Sequence, residues 1–339
     1  MIYTDKEYIL LNLIYSNAKR EKLNYDEIIY LFKESLDKGI NLFREFELLT
    51  LQSVKYNTKT FLNLLRFFKE KEHLKYKNDI SKIEKKCNKN NIKMMFFENE
   101  KFPVNLKKIS NPPIMLYYKG EFPMTEKILT IAGSREISKY GKKIVNKVIE
   151  LFSKENYSIL SGLASGIDTQ AHLSALKYDL RTFAILGQGL SSRIYPIENT
   201  GLAEKILANG GCLISEIEPS KNPNRDYFLR RNRLQVAFAE RIFIGEIKEN
   251  GGGTLTTINY ALEYNKKLYI WNPILLYEKG EFEKSFLGNL ILFDEYSTEN
   301  KKNKLFKQKE YIKEKAVEIK LGIDFENTNE NYFEQLKLF

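Results

Sequence analysis

The sequence predicts an α/β fold: an extended Rossmann-like, doubly wound and mostly parallel sheet, preceded by a small all-α domain. Three observations predict it. From residue 128 to residue 271, short apolar runs alternate with amphipathic stretches; the runs end in glycine or serine turns; and the apolar residues of the first hundred positions recur at helical spacing. Such alternation brings the carboxyl ends of the strands to one edge, where a doubly wound sheet binds its ligands.

The elements follow in order. Thr4 and Glu7 have capping-box spacing ahead of Ile9, Leu10, Leu13 and Ile14, and Asn24 and Glu27 repeat it ahead of Ile28, Leu31 and Phe32. Leu48, Leu51, Phe61, Leu64, Leu65 and Phe68 extend the pattern. Lysine-rich residues 69–93, with Ile83 and Cys87 on one face, predict a last helix before a strand at Met94–Phe97. Residues 1–95 thus read as a helical N-terminal domain, either a duplex-binding module or one made for packing and protein contact. Residues 96–298 read as the sheet domain, and 299–339 as a tail that is basic and then acidic.

Within the sheet domain Ile128–Ala132 is a strand that ends in Gly133-Ser134 and feeds a helix carrying Ile144, Val145, Val148, Ile149 and Phe152. Tyr157–Leu160 is the next, closed by Ser161-Gly162, and Phe183–Leu186 follows, closed by Gly187-Gln188-Gly189. Ile206 and Leu207 end a helix before the strand Cys212–Ser215. Ile242–Gly245 runs into Glu246 and the turn Gly251-Gly252-Gly253-Thr254. A helix with Leu255, Ile258, Ala261 and Leu262 then leads to the strand Leu268–Trp271. In the tail, Phe306, Tyr311, Ile312, Lys315 and Ile319 give one amphipathic helix, read as solvated with a loosely held end or, alternatively, as a basic DNA-contacting arm.

Small residues where strands turn into helices let an anion approach main-chain amides. Gly133 and Ser134 do this after the first of these strands. Arg135 adds a planar, permanently charged fork there, which either binds an anion or pairs with a carboxylate or helix end. Ser161, Gly162 and Gly166 repeat the device, and Asp168 stands where a helix cap or first-turn carboxylate belongs.

An ordered series carries a family resemblance. It runs through Phe102-Pro103, Pro112-Pro113, Lys119-Gly120, Gly133-Ser134-Arg135, Ser138, Tyr140-Gly141, Ser161-Gly162-Leu163-Ala164, Gly166-Ile167-Asp168 and Ala171-His172. It continues through Leu186-Gly187, Tyr195-Pro196, Asn199, Ser215-Glu216, Phe228, Arg231-Asn232-Arg233 and Gly253-Thr254-Leu255. Over about half its length the chain resembles the DprA/Smf family of DNA-processing proteins. The resemblance implies a Rossmann-like protein of natural transformation that binds and protects single-stranded DNA, forms a homodimer and assists RecA, without catalytic residues, cofactor or metal. It implies DNA or phosphate contacts from Gly133, Ser134, Arg135, Tyr140, Gly141, Ser161, Gly162, Gly166, Asp168, Phe228, Arg231, Asn232, Arg233, Gly252, Gly253 and Thr254. Arg135, Arg230, Arg231 and Arg233, with Lys139, Lys142 and Lys143, are expected to line a cationic pocket; Tyr140, Tyr195, Tyr227 and Phe228 are expected to stack on bases.

The chain departs from that pattern at Ser165, at Leu229, over Leu234-Gln235-Val236-Ala237 and after Pro273. A rival reading starts from Gly251-Gly252-Gly253-Thr254, which is similar to the turn of LOG-type nucleotide hydrolases. Those enzymes carry a glutamate where Thr257 stands here, and neither Glu216 nor Glu246 has the required spacing. A nucleotide-sensing relative would keep the pocket and drop the DNA.

Composition agrees. The formal charge of +10, from 54 Lys and Arg against 44 Asp and Glu in 339 residues, favours polyanionic partners, and 43% apolar residues suffice for one full core and a smaller one. Cys87, Cys212, His73 and His172 are too few and too scattered for a disulfide scaffold or a metal cluster. Without a leader or an apolar run of membrane-spanning length, a cytoplasmic protein is expected. The stretch from Leu255 to Trp271, read as the end of the sheet, is the expected twofold interface.

Overall fold

The computed structural model describes residues 1–48, 59–124, 126–278, 280–296 and 303–320. Leu51 and the acidic end of the chain, expected above as part of the helical pattern and of the tail, lie outside these residues. Helices α1 (Asp5–Ser16), α2 (Tyr25–Asp37), α3 (Lys59–Lys69) and α4 (Lys77–Lys89) come first, then β1 (Lys93–Phe96), α5 (Val104–Lys108) and β2 (Met115–Gly120). The alternating part comprises β3 (Lys127–Ala132), α6 (Lys139–Ser153), β4 (Tyr157–Ser161), α7 (Ile167–Lys177), β5 (Thr182–Ile185), α8 (Thr200–Ala208), β6 (Cys212–Ser215), α9 (Arg225–Phe238), β7 (Arg241–Ile244), α10 (Gly252–Glu263) and β8 (Lys267–Asn272). Beyond it come α11 (Ile274–Tyr277), α12 (Leu287–Leu292), α13 (Lys304–Lys315) and β9 (Val317–Lys320).

The helix starts follow their side chains. Thr4 and Glu7 close a reciprocal capping box on α1, and Asn24 accepts from the amides of Asp26 and Glu27 at the start of α2. The helix expected over 69–93 is broken: Lys71 takes a left-handed conformation (φ 55°), a 3-10 turn follows over Glu72–Tyr76, and only α4 is α-helical. Leu48, expected in the helical core, sits in a 3-10 turn at 63% exposure.

Among the described residues the strands form one sheet in the order β1-β2-β6-β5-β4-β3-β7-β8-β9. The β1–β2 and β2–β6 pairs are antiparallel and the rest parallel. The parallel strands β3 to β8 are buried on both faces along most of their length, as a doubly wound sheet requires, and only the edge strand β9 is largely exposed. Leu129 and Ile131 join the core under α6 and α7, whereas Ile128 and Ala132 point into the cores under α9 and α10, the period-two alternation of a strand. The N-terminal helices share a core with the sheet: Ile9, Ile14 and Phe32 belong to the same cluster as Tyr117, Ala184 and Leu213. The chain winds from β3 through β4 and β5 to β6, then crosses back so that β7 lies on the other side of β3. The C-terminal edge of β3 and β7 is therefore the switch point where such sheets open a crevice.

The end of the sheet differs from expectation. β8 is not an edge: β9 pairs with it in parallel, Tyr269 opposite Val317 and Trp271 opposite Ile319. α13 is not a solvated helix, because Leu305 and Ile312 are fully buried in the core beneath α10 and β8. The expected twofold interface at Leu255–Trp271 is thus covered by the chain's own α13 and β9. The cause is non-local pairing: Val317-Glu318-Ile319-Lys320 continues a helical pattern in sequence but finds an open strand edge in space. No helix among the described residues is long and apolar enough to cross a membrane.

Candidate nucleic-acid interface

At the switch point lies a cleft of about 1080 Å³, lined by the turn after β3, the start of α7, the first turns of α9, the loop after β7 and the start of α10. The turns are shaped by close backbone approach. Gly133 lies against Ile167, and the Ser134 amide donates to the Glu246 carbonyl (2.7 Å) while the Ser134 carbonyl accepts from the Ile167 amide (3.0 Å). Gly166 has φ +78°, and a Cβ there would stand 2.3 Å from the Ser134 carbonyl, so glycine is required twice over.

Arg135 projects from this turn, exposed, with its guanidinium carbon 5.2 Å from the centre of the Phe228 ring. It has no carboxylate partner among the described residues. Phe228 in turn packs against Tyr195 (5.6 Å between ring centres, 38° between planes), and Tyr195 is 49% exposed. Opposite them, α10 begins at Gly251-Gly252 with positive φ at both residues and no side-chain cap. A Cβ on Gly252 or Gly253 would meet nothing within 4 Å. No side chain therefore covers the start of α10, the positive end of its helix dipole, where it lines the cleft. Asn289 steadies this loop: it accepts from the Ile247 amide (2.7 Å) and donates to the carbonyls of Gly245 (2.8 Å) and Trp271 (2.7 Å). Thr254 lines the cleft, and Asn232 donates to the Gly253 carbonyl (3.2 Å).

Several expected ligands turn out to be structural. Arg233 is 2% exposed and gives Nη2 to Glu216 (2.5 Å) and Nε to the Asn111 carbonyl (2.8 Å). Burial works against its charge, but the facing Glu216 carboxylate outweighs this and its pKa is raised. Arg230 lies over Tyr15 and Tyr25, 4.4 and 4.3 Å from the ring centres, which pins α9 to the N-terminal helices. Arg231 is buried on Gly162, donates to the Ile185 carbonyl (2.8 Å) and pairs with Asp168 (3.5 Å). Asp168 is the first-turn carboxylate of α7 and not its N-cap, since Gly166 holds that place. Its carboxylate accepts from the amides of Gly162 (3.2 Å) and Ala164 (3.3 Å). Burial pushes its pKa up and Arg231 opposes the shift.

Other expectations are corrected likewise. Ser161 is fully buried and donates to the Ile131 carbonyl (2.7 Å). Tyr140 is 4% exposed, bonds Glu281 through its hydroxyl and packs on Phe286, so it is no base platform. Gly141 makes room for a carboxylate of the chain itself: a Cβ there would lie 2.6 Å from Glu246 Cδ. Glu246, fully buried, accepts from the Ser138 amide (3.0 Å) and hydroxyl, and Ser138 in turn caps α6. Burial raises the Glu246 pKa against those hydrogen bonds. His172 bonds Thr182 through Nδ1 (2.7 Å), and burial holds its pKa down at about 3, so it is neutral.

Besides Arg135, the cations that line the cleft are Arg231, expected there and held by Asp168, and Arg225, Lys248 and Lys304, which were not expected as ligands. Arg225 and Lys304 are exposed and without acidic partners among the described residues; Lys248 pairs with Glu136 (2.6 Å). The signal for Arg225 was legible, since Asn224 has cap spacing and caps α9 through the Tyr227 amide (2.9 Å). The basic tail admits a DNA-contacting arm but no spacing singles out Lys304, which the fold of the C-terminal segment delivers. Among the described residues no cluster of His, Cys, Asp and Glu is arranged to hold a metal.

Residues 93–290 match the model of the family described as DNA recombination-mediator protein A. The chain is 32% identical over 194 residues to the DNA processing protein DprA of Bacillus subtilis, covering 54% of this chain and 64% of that one. To the DprA of Streptococcus pneumoniae it is 35% identical over 169 residues, 50% of this chain and 58% of the other. It therefore spans less than two thirds of the length of these relatives. The X-ray structure of the Streptococcus pneumoniae DprA shares the fold, with a TM-score of 0.63 and 23% identity over 88% of this chain and 100% of that one. On the match over residues 93–290, the chain belongs to the DNA recombination-mediator protein A family.

Proposed function

We propose that the chain binds single-stranded DNA in the switch-point cleft. The carrying observation is Arg135: an exposed guanidinium without a carboxylate partner among the described residues, seated over Phe228 beside the exposed Tyr195. A cation and aromatic faces on one rim suit a strand whose bases are free to stack, which duplex bases are not. Glycine amides at the start of α10 and the side chains of Arg225 and Lys304 suit its phosphates. Anisotropy titration of a labelled oligo-dT and of its duplex tests this. Tighter binding of the single strand, weakening as salt rises, is expected; equal affinity for the two forms, or indifference to salt, contradicts the reading.

The reading extends to a non-catalytic role in which the cytosolic protein shields incoming DNA and passes it to RecA. The carboxylates nearest the cleft are already engaged: Asp168 by Arg231, Glu216 by Arg233 and Glu246 by Ser138. None is free to act as a general acid or base. Release of free base from nucleoside monophosphates would favour the nucleotide-hydrolase alternative instead. A homodimer belongs to the same reading, and its contact must use a face other than the one covered by β9; light scattering with and without oligonucleotide tests it, as co-precipitation with RecA tests the handover.

A further inference from the structure

We propose that α13 forms a second wall of the cleft, with Lys304 gripping the backbone phosphates of the bound strand and Gln308 contacting it one turn further on. The inference rests on the single-strand reading above. Lys304 and Gln308 are four residues apart, hence on one helix face, and both line the cleft that Arg135 and Arg225 also line. Lys309 and Lys313, further along the same helix, are occupied, since both bind Asp294. Lys304 is exposed and has no acidic partner among the described residues.

The mount is rigid. Asn303, 2% exposed, donates to the Glu249 carbonyl (2.8 Å) and accepts from the Leu305 amide (2.9 Å), which fixes the start of α13 against the loop that opens α10. Leu305 and Ile312 anchor the helix in the core, and β9 closes the segment onto β8. Lys304 is thus held at the cleft by buried groups on either side of it. This wall lies beyond residue 290, where the match to the family model stops.

The test compares Lys304→Ala with Lys307→Ala, an exposed lysine of the same helix that does not line the cleft. Both variants of the full chain lose one charge. Binding of labelled oligo-dT is followed by anisotropy across a salt series. Lys304→Ala is expected to weaken binding at least about threefold and to lower the slope of log affinity against log salt by about 0.7, the contribution of one single-strand phosphate contact. Lys307→Ala should leave the slope unchanged, and Lys304→Arg should restore it. If the wild-type chain binds while the two alanine variants coincide in affinity and slope, the inference falls alone. A wild-type chain that does not bind oligo-dT overturns the single-strand reading and this inference with it.

Discussion

The buried arginines of α9, Arg231 and Arg233, and the exposed arginines of the cleft, Arg135 and Arg225, are the same residue type at one end of the sheet, yet they do different work. Arg231 and Arg233 are 7% and 2% exposed and faced by Asp168 and Glu216, while Arg135 and Arg225 stand in solvent without an acidic partner among the described residues. Burial separates the two sets. A charge taken out of water needs a partner and hydrogen bonds to offset its desolvation, and once partnered it is no longer available to a phosphate. A charge left at the rim contributes little to the fold and stays free for a ligand. The lesson is that a run of arginines marks a binding site only where the fold leaves its carboxylates elsewhere.

The strongest way to break this comparison is at Arg233. Arg233→Ala leaves the buried Glu216 carboxylate with only Arg230 at 3.9 Å and removes the bond to the Asn111 carbonyl, so a stability loss of about 3 kcal/mol is expected in urea or thermal unfolding. A variant as stable as wild type but weaker for DNA would move Arg233 to the binding set.

His172 sharpens the same contrast from another side. Its folded pKa of about 3 lies below the ordinary value of 6.5, because burial disfavours the charged ring. A depressed pKa contributes stability that is present in full above 6.5 and is lost as pH falls toward 3. Between pH 7 and pH 5 this one group should cost about 2 kcal/mol of folding stability. His172→Asn should flatten that part of the profile; an unchanged slope between the two proteins would show that the ring titrates freely.

How much of this was legible follows from the same physics. The parallel strands read directly, because strands buried on both faces are apolar runs closed by small residues: Ile128–Ala132 and Cys212–Ser215 leave no other choice. β9 did not, since Val317-Glu318-Ile319-Lys320 offers only a four-residue apolar/polar alternation at the end of a helical pattern, and pairing with the edge of β8 is what makes it a strand. At the site, Gly133, Ser134 and Arg135 were legible from the strand-to-helix turn itself. The α9 arginines were misjudged because their partners, Glu216 and Asp168, are distant in sequence and meet them only through the sheet order. Ser215-Glu216 at the end of a buried strand was the available hint, since a carboxylate there needs a cation.

The central claim is that binding resides in the rim. Its most direct test is Arg135→Ala, measured for oligo-dT affinity and for melting temperature on the same preparation. Removing a charge-assisted phosphate contact and the cation over Phe228 should weaken binding by at least about 1 kcal/mol, while the exposed position leaves melting nearly unchanged. Wild-type affinity, or a variant that melts early and binds normally once folded, would contradict the account.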